Sequence, residues 1–190
     1  MKPLPEDAVL LVVDVQKAFD NPAWGRRNNP SAEANIERLL ASWRGAGRPV
    51  IHVHHRNPRA GSHFNPGAPG VVPKPEGLPL PGEPVLYKDV NSAFIGTDLE
   101  ERLRSAGNPA LVIVGLTTDH CISTTTRMAG NLGFTAYLVE DATATFERTG
   151  PNGKSYSAEL MHETALASLN AEFAEVVSTA DVIGAFAASA

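Results

Sequence analysis

Cysteine is almost absent. Cys121 is the only one in 190 residues, so no internal disulfide can form and the fold must be held by packing. Basic charge is also short: 16 Lys and Arg stand against 21 Asp and Glu, a formal net charge of -5. Without a basic patch, the electrostatic footprint of a nucleic-acid binder is missing. No apolar run approaches the ~20 residues of a membrane span. Met1 to Asp7 is too short and polar for a secretory signal, and Ala8 to Val13 is a strand-length run, which makes the cytoplasm the expected compartment. The 43% hydrophobic content is that of an ordinary globular core. The length suits a single domain, residues 1–190, that buries roughly 70% of its unfolded surface.

Apolar, β-branched runs recur with helical segments between them. Ala8–Val13, Pro49–Val53, Pro84–Lys88, Ala110–Val114, Phe134–Val139 and Ala174–Val177 read as strands. Their continuous apolar character is that of strands covered on both faces. Helices are expected after Ser31, from Thr97 to near Gly107, from Asp119 to Leu132, from Ser157 to Leu169, and after Ser178. Strands alternating with helices predict an α/β fold, a three-layer α/β/α sandwich around a mainly parallel sheet of about six strands. Asn57 to Pro84 is rich in Pro and Gly and reads as a long loop, a length that is usually functional.

Ligands of such sheets bind beyond the carboxyl ends of the strands. The first predicted strand ends in Asp14, the third in Lys88, and the fourth leads through a turn to Cys121. A carboxylate, an amine and a thiol are thus delivered toward one edge. Taken singly, each has a plain reading: a turn residue, a solvated charge, a small buried apolar group. Cys121, however, falls in the first turn of a predicted helix, where the dipole and unpaired N–H groups favour a thiolate. The carboxylate can accept the thiol proton, and the N–H groups can hold an oxyanion.

Three stretches, "VVDVQKAF", "YKDVNSAFIGTDLEERL" and "VGLTTDHCISTTTRMA", resemble the motifs of the isochorismatase-like cysteine hydrolases, in the same order. The resemblance runs from Ala8 to about Val182. It implies a Rossmann-like fold with Asp14 as acid/base, Lys88 as the lysine that orients it, and Cys121 as nucleophile. It also implies a cis peptide between Leu116 and Thr117 that aims the Thr117 N–H, with that of Cys121, at an oxyanion. Isochorismate-cleaving members typically carry glycine in place of the cysteine. Retention of Cys121 therefore turns the expectation to hydrolysis of an amide or ureido C–N bond, ahead of vinyl-ether cleavage. A catalytically silent binding protein of the same fold would be expected to lack Asp14, Lys88 or Cys121, and all three are present.

Nicotinamide-hydrolysing members hold a metal through an Asp-x-His pair and later histidines. Here the region reads "HVHHRNPRAGSHFNPG". His52, His54, His55 and His63 are present, but the Asp is missing and Asn57 falls at the second position of the pair. No metal and no other cofactor is therefore expected. His52 and His54 alternate along a strand and share one face, with His55 on the other. Gln16, Phe19, Trp24, His54, Asn57, Phe64 and Tyr156 are the expected substrate contacts, with Arg56 or Arg59 available for a substrate carboxylate. The segment 143–157 could serve as a lid, and His120 reads as a first-turn residue pointing away from the site. The expected partners are a small-molecule amide and, from the resemblance, a second copy of the chain in a homodimer or larger oligomer.

Overall fold

The apolar runs become strands of a sheet covered on both faces. The computed structural model describes residues 4–107 and 109–187. Its strands are β1 (Val9–Val13), β2 (Val50–His55), β3 (Val85–Lys88), β4 (Leu111–Leu116), β5 (Ala136–Ala144), β6 (Arg148–Thr149), β7 (Ser155–Tyr156) and β8 (Glu175–Val177). The helices are α1 (Ala32–Gly45), α2 (Leu99–Ser105), α3 (Ser123–Asn131), α4 (Ala158–Leu169) and α5 (Thr179–Ala187). Six strands form one sheet in the order β3-β2-β1-β4-β5-β8, and every neighbouring pair in it is parallel. The remaining two, β6 and β7, make a small antiparallel hairpin.

Every residue of β1 and β4 is buried, which is why neither shows a polar alternation. Leu10, Val12, Val112 and Val114 pack under Ile36, Leu39, Leu40 and Trp43 of α1 and Val182 of α5. On the other face, Leu11, Val13 and Ile113 meet Leu99 and Leu103 of α2, Ala129 of α3, and Leu166 and Leu169 of α4. These two cores make the three-layer α/β/α sandwich expected from the alternation of elements. No helix among the described residues is long and apolar enough to cross a membrane.

Several boundaries differ from the sequence reading. β2 continues through His55, because the Gln16 side chain completes its ladder by accepting the His55 N–H at 2.8 Å and donating to the His55 carbonyl at 3.0 Å. β4 continues through Leu116, and its pairing with β5 shifts register between Ile113 and Gly115. The expected helix from Asp119 begins instead as a π-helical turn, Thr118–Ile122, which runs into α3. Ser31 precedes α1 without a side-chain capping bond. Ser178 does cap: its Oγ accepts the Asp181 N–H at 3.1 Å, and Asp181 accepts the Ser178 N–H at 2.9 Å.

The long loop after β2 contains only short 3-10 turns, Pro69–Val71 and Pro75–Gly77. Long-range bonds hold it in place. Gln16 Nε2 reaches the Val71 carbonyl at 2.8 Å, and the Lys74 N–H reaches the Val15 carbonyl at 2.9 Å. The buried Lys74 ammonium meets Glu33 of α1 at 2.8 Å and also contacts Asp20.

Candidate active site

Parallel strands bring their carboxyl ends to one edge, and the register decides which polar residues meet there. Val13 pairs with Val53 and Gly115, while His55 pairs with Lys88. The chain leaves β1 at Asp14 with φ +54°, in the left-handed region. Gly115, with φ +124°, lies so close to β1 that a Cβ there would sit 1.9 Å from the Val13 carbonyl oxygen. Only glycine allows the two central strands this approach. The Leu116–Thr117 peptide that follows is cis.

Asp14 and Lys88 are fully buried side chains joined by a 2.6 Å bond from the ammonium to Asp14 Oδ2. Asp14 Oδ1 is buried and has no hydrogen-bond partner among the described residues. A ligating oxygen of Asp14, a ring nitrogen of His55 and the sulfur of Cys121 all lie within 4.8 Å of one another. Asn91 Oδ1 is 3.8 Å from the sulfur, positioned to accept from the thiol. A buried carboxylate oxygen without a partner and a buried thiol thus share one site.

The thiol keeps its proton at rest. Burial, and then the negative charge of Asp14, push Cys121 far above the ordinary thiol range, while Lys88 draws it back only in part. This corrects the expectation of a thiolate favoured by the helix start. The sulfur is buried in the π-helical turn with the Asp14 carboxylate nearby, and both favour the protonated form.

Above these groups lies a cavity of about 310 Å³. Asp14, Cys121, Thr117 and Asn91 line its floor, and Phe19, Trp24, His55, Asn57, Ser62, His63, Phe64 and His120 its walls. The aromatic side is a packed cluster. Phe19 lies 5.4 Å from Trp24 and 5.2 Å from Phe64, ring centre to ring centre, with Phe146 behind it at 6.2 Å. Trp24 is fixed by its Nε1 donating to the Ala18 carbonyl at 2.9 Å.

Of the expected contacts, Phe19, Trp24, Asn57 and Phe64 line the cavity, and Gln16, His54 and Tyr156 do not. Gln16 is buried away from the cavity and spends its amide on the His55 peptide and on Val71. His54 lies with His52 on the opposite face of β2, its ring 6.2 Å from that of His52 and 6.1 Å from that of Tyr87. Tyr156 pairs with Arg148 in the hairpin and carries Lys154 over its ring at 5.2 Å. Arg56 stacks on Tyr87, 3.3 Å from the ring centre, and neither it nor Arg59 lines the cavity. His120 does line it, contrary to the outward orientation expected of it.

His55, Asn91 and Ser62 had no assigned contact role in the sequence reading. Extending β2 to its polar end would have placed His55 beside Lys88; Asn91 and Ser62 carry no comparable signal. Segment 143–157 is tied down at its base. Asn28 Oδ1 accepts the Thr145 N–H at 2.7 Å, and Asp119 binds Thr145 and Arg148. Among the described residues, the one group of three metal-ligating side chains is Asp14, His55 and Cys121; His52, His54 and His63 do not converge on a common point with a third ligand.

An isochorismatase domain profile matches residues 8–181. The chain belongs to the isochorismatase family. YrdC of Bacillus subtilis strain 168, described as an uncharacterized isochorismatase family protein, is 46% identical over 183 residues, which cover 96% of this chain and 98% of that one. A crystal structure of an isochorismatase-family protein from Chromobacterium violaceum ATCC 12472 matches with a TM-score of 0.96 at 42% identity, covering 99% of this chain and 97% of that one. A named hydrolase is also similar to this chain. Streptothricin hydrolase of Streptomyces noursei is 36% identical over 150 residues, 73% of this chain and 50% of its own length.

Proposed function

We propose that this isochorismatase-family protein is a cysteine hydrolase that cleaves a C–N bond of a small amide or ureido compound through a Cys121 thioester. One observation carries the reading. The Cys121 sulfur and an Asp14 oxygen lie within 4.8 Å of one another at the floor of a small cavity, with Lys88 fixed against the same carboxylate at 2.6 Å. The likeness to a named hydrolase supports it.

In this mechanism Asp14 Oδ1 takes the thiol proton as the sulfur bonds to the carbonyl carbon, and the C=O electron pair moves to oxygen. The N–H groups of Thr117 and Cys121 hold that oxyanion. Collapse of the adduct breaks the C–N bond while Asp14 returns the proton to nitrogen, releasing ammonia or an amine. A water then gives its proton to Asp14 and attacks the thioester. The C–S bond breaks, the acid leaves, and the proton goes back to sulfur. Lys88 keeps Asp14 oriented and compensates its charge throughout. No step calls on a metal, and the histidines beyond His55 are not gathered to hold one, so turnover is proposed to be metal-free.

The test is release of ammonia from a panel of small primary amides and ureido acids by the purified protein. Turnover of at least one compound is expected, with a Cys121-acyl adduct seen by mass spectrometry. Loss of activity on exhaustive chelation, with recovery on adding back one metal, would overturn the metal-free scheme. Cys121→Ala that retained turnover would overturn the thioester.

A further inference from the structure

We propose that His55 is a positioning residue that aims Lys88 at the Cys121 sulfur, by accepting one ammonium proton and so turning another toward the thiol. The inference rests on the reading of Cys121 as the nucleophile and adds a fourth member to its site.

The geometry of an ammonium carries it. Lys88 has three N–H donors in a tetrahedral arrangement. One points to Asp14 Oδ2 at 2.6 Å and a second to His55 Nδ1 at 3.1 Å. Since an ammonium can only donate, Nδ1 is the acceptor, which assigns the imidazole proton to Nε2. With two directions committed, the third is fixed. The Cys121 sulfur lies within 4.8 Å of both groups that hold the ammonium, Asp14 and His55, and is the partner assigned to that third N–H; the positive charge of Lys88 there favours the thiolate. A lysine held by Asp14 alone could rotate about that bond and spend its other protons elsewhere.

His55 is itself held firmly. Gln16 binds both its N–H and its carbonyl, and Phe64 meets its ring edge-on at 5.0 Å. The ring must be neutral to accept. Burial, and then the positive charge of Lys88, depress its proton affinity. Asp14, Asp89 and a hydrogen bond with the Val90 backbone act in the opposite sense and are outweighed. Across the cavity it faces His63, His120 and Cys121, and burial together with Asp14 holds the proton on the thiol. Its proton affinity is thus held below that of an ordinary imidazole, which keeps His55 an acceptor at neutral pH.

Because Cys121 is the sole cysteine, alkylation of the purified full-length protein by iodoacetamide reports on this one sulfur and needs no substrate. Its rate is measured against pH for the unmodified protein, His55→Leu and His55→Asn. His55→Leu removes the acceptor. His55→Asn keeps an acceptor oxygen near the Nδ1 position. Loss of a hydrogen bond to a charged group predicts alkylation slowed about tenfold at each pH in His55→Leu, with His55→Asn within about threefold of the unmodified protein. Equal rates for His55→Leu and the unmodified protein would overturn the proposal. So would an equal fall in both variants, which marks lost packing.

If His55→Leu does not fold, ¹⁵N spectra of histidine-labelled unmodified protein decide. An unprotonated Nδ1 at neutral pH is expected, and a protonated one refutes the geometry. Were these outcomes met while Cys121→Ala still released ammonia, the thioester reading would fall and the aiming of Lys88 would stand.

Discussion

At the scale of single residues, the site works by keeping charges paired until substrate arrives. Asp14 and Lys88 are buried together, and removing one partner of such a pair leaves the other uncompensated at a cost of about 3–5 kcal/mol. Asp14→Asn is therefore expected to destroy turnover and also to lower the melting temperature. Cys121→Ala, which removes a neutral thiol, should destroy turnover with the melting temperature almost unchanged. Comparing the two melts separates chemistry from stability. The thiol also has a pH signature. Burial and the Asp14 carboxylate hold its proton on, so alkylation of Cys121 should still be accelerating at about pH 10, above the point where an ordinary thiol of pKa about 8.5 levels off. A plateau below pH 8 would show that the sulfur is a stable thiolate and that Lys88 dominates Asp14.

At the scale of elements, the approach of β1 to β4 decides where the reactive atoms can be. Gly115→Ala would drive a methyl group into the Val13 carbonyl at a φ that disfavours any side chain. Destabilisation by about 3 kcal/mol or more is expected from denaturant melts, near the upper end for a single substitution. A soluble variant with unchanged stability would mean that the strands can separate without loss. The central strands were legible in the sequence because burial on both faces leaves an unbroken apolar run. Asp14 and Lys88 were legible because each is a polar residue ending such a run. The end of β2 was not. His54–His55 looks like the start of a loop, and His55 is a strand residue because it pairs with Lys88 of β3, with the Gln16 side chain bonding its peptide. Asn91 and Ser62 reach the cavity from irregular backbone, which has no period to read. The π-helical turn hid His120 in the same way, since a helical wheel assumes 3.6 residues per turn.

At the scale of the whole molecule, a buried charge network joins the long loop to the first helix. Lys74 bonds Glu33 at 2.8 Å, and Arg27 clasps the same carboxylate with two bonds of 2.7 and 2.6 Å. Burial alone would raise the Glu33 pKa, but these partners prevail and bring it to about 2. A carboxylate depressed in the folded state stabilises fully above its unfolded pKa of about 4.5 and loses that contribution as pH falls toward 2. The contribution is on the order of 3 kcal/mol. Glu33→Gln should therefore flatten the stability profile between about pH 4.5 and 2 and weaken attachment of the loop, seen as faster proteolysis between Asn57 and Pro84. An acid profile identical to that of the unmodified protein would assign the loop's order to other contacts.

The cavity's walls and its floor belong to different stretches of chain. Phe19 and Trp24 come from the segment after β1, and Asn57, Ser62, His63 and Phe64 from the segment after β2. The groups proposed to react come from the ends of β1 and β3 and from the π-helical turn after β4, where Gly115 brings β4 against β1 and the Asp14–Lys88 bond joins β1 to β3. Gln16 ties a knot at the boundary, where the wall segment leaves the sheet. Beyond that knot, the wall segments share none of the bonds that join Asp14 to Lys88 and β1 to β4. Diversification in such a molecule is expected to fall on the walls, changing what is admitted while the groups at the floor stay in place.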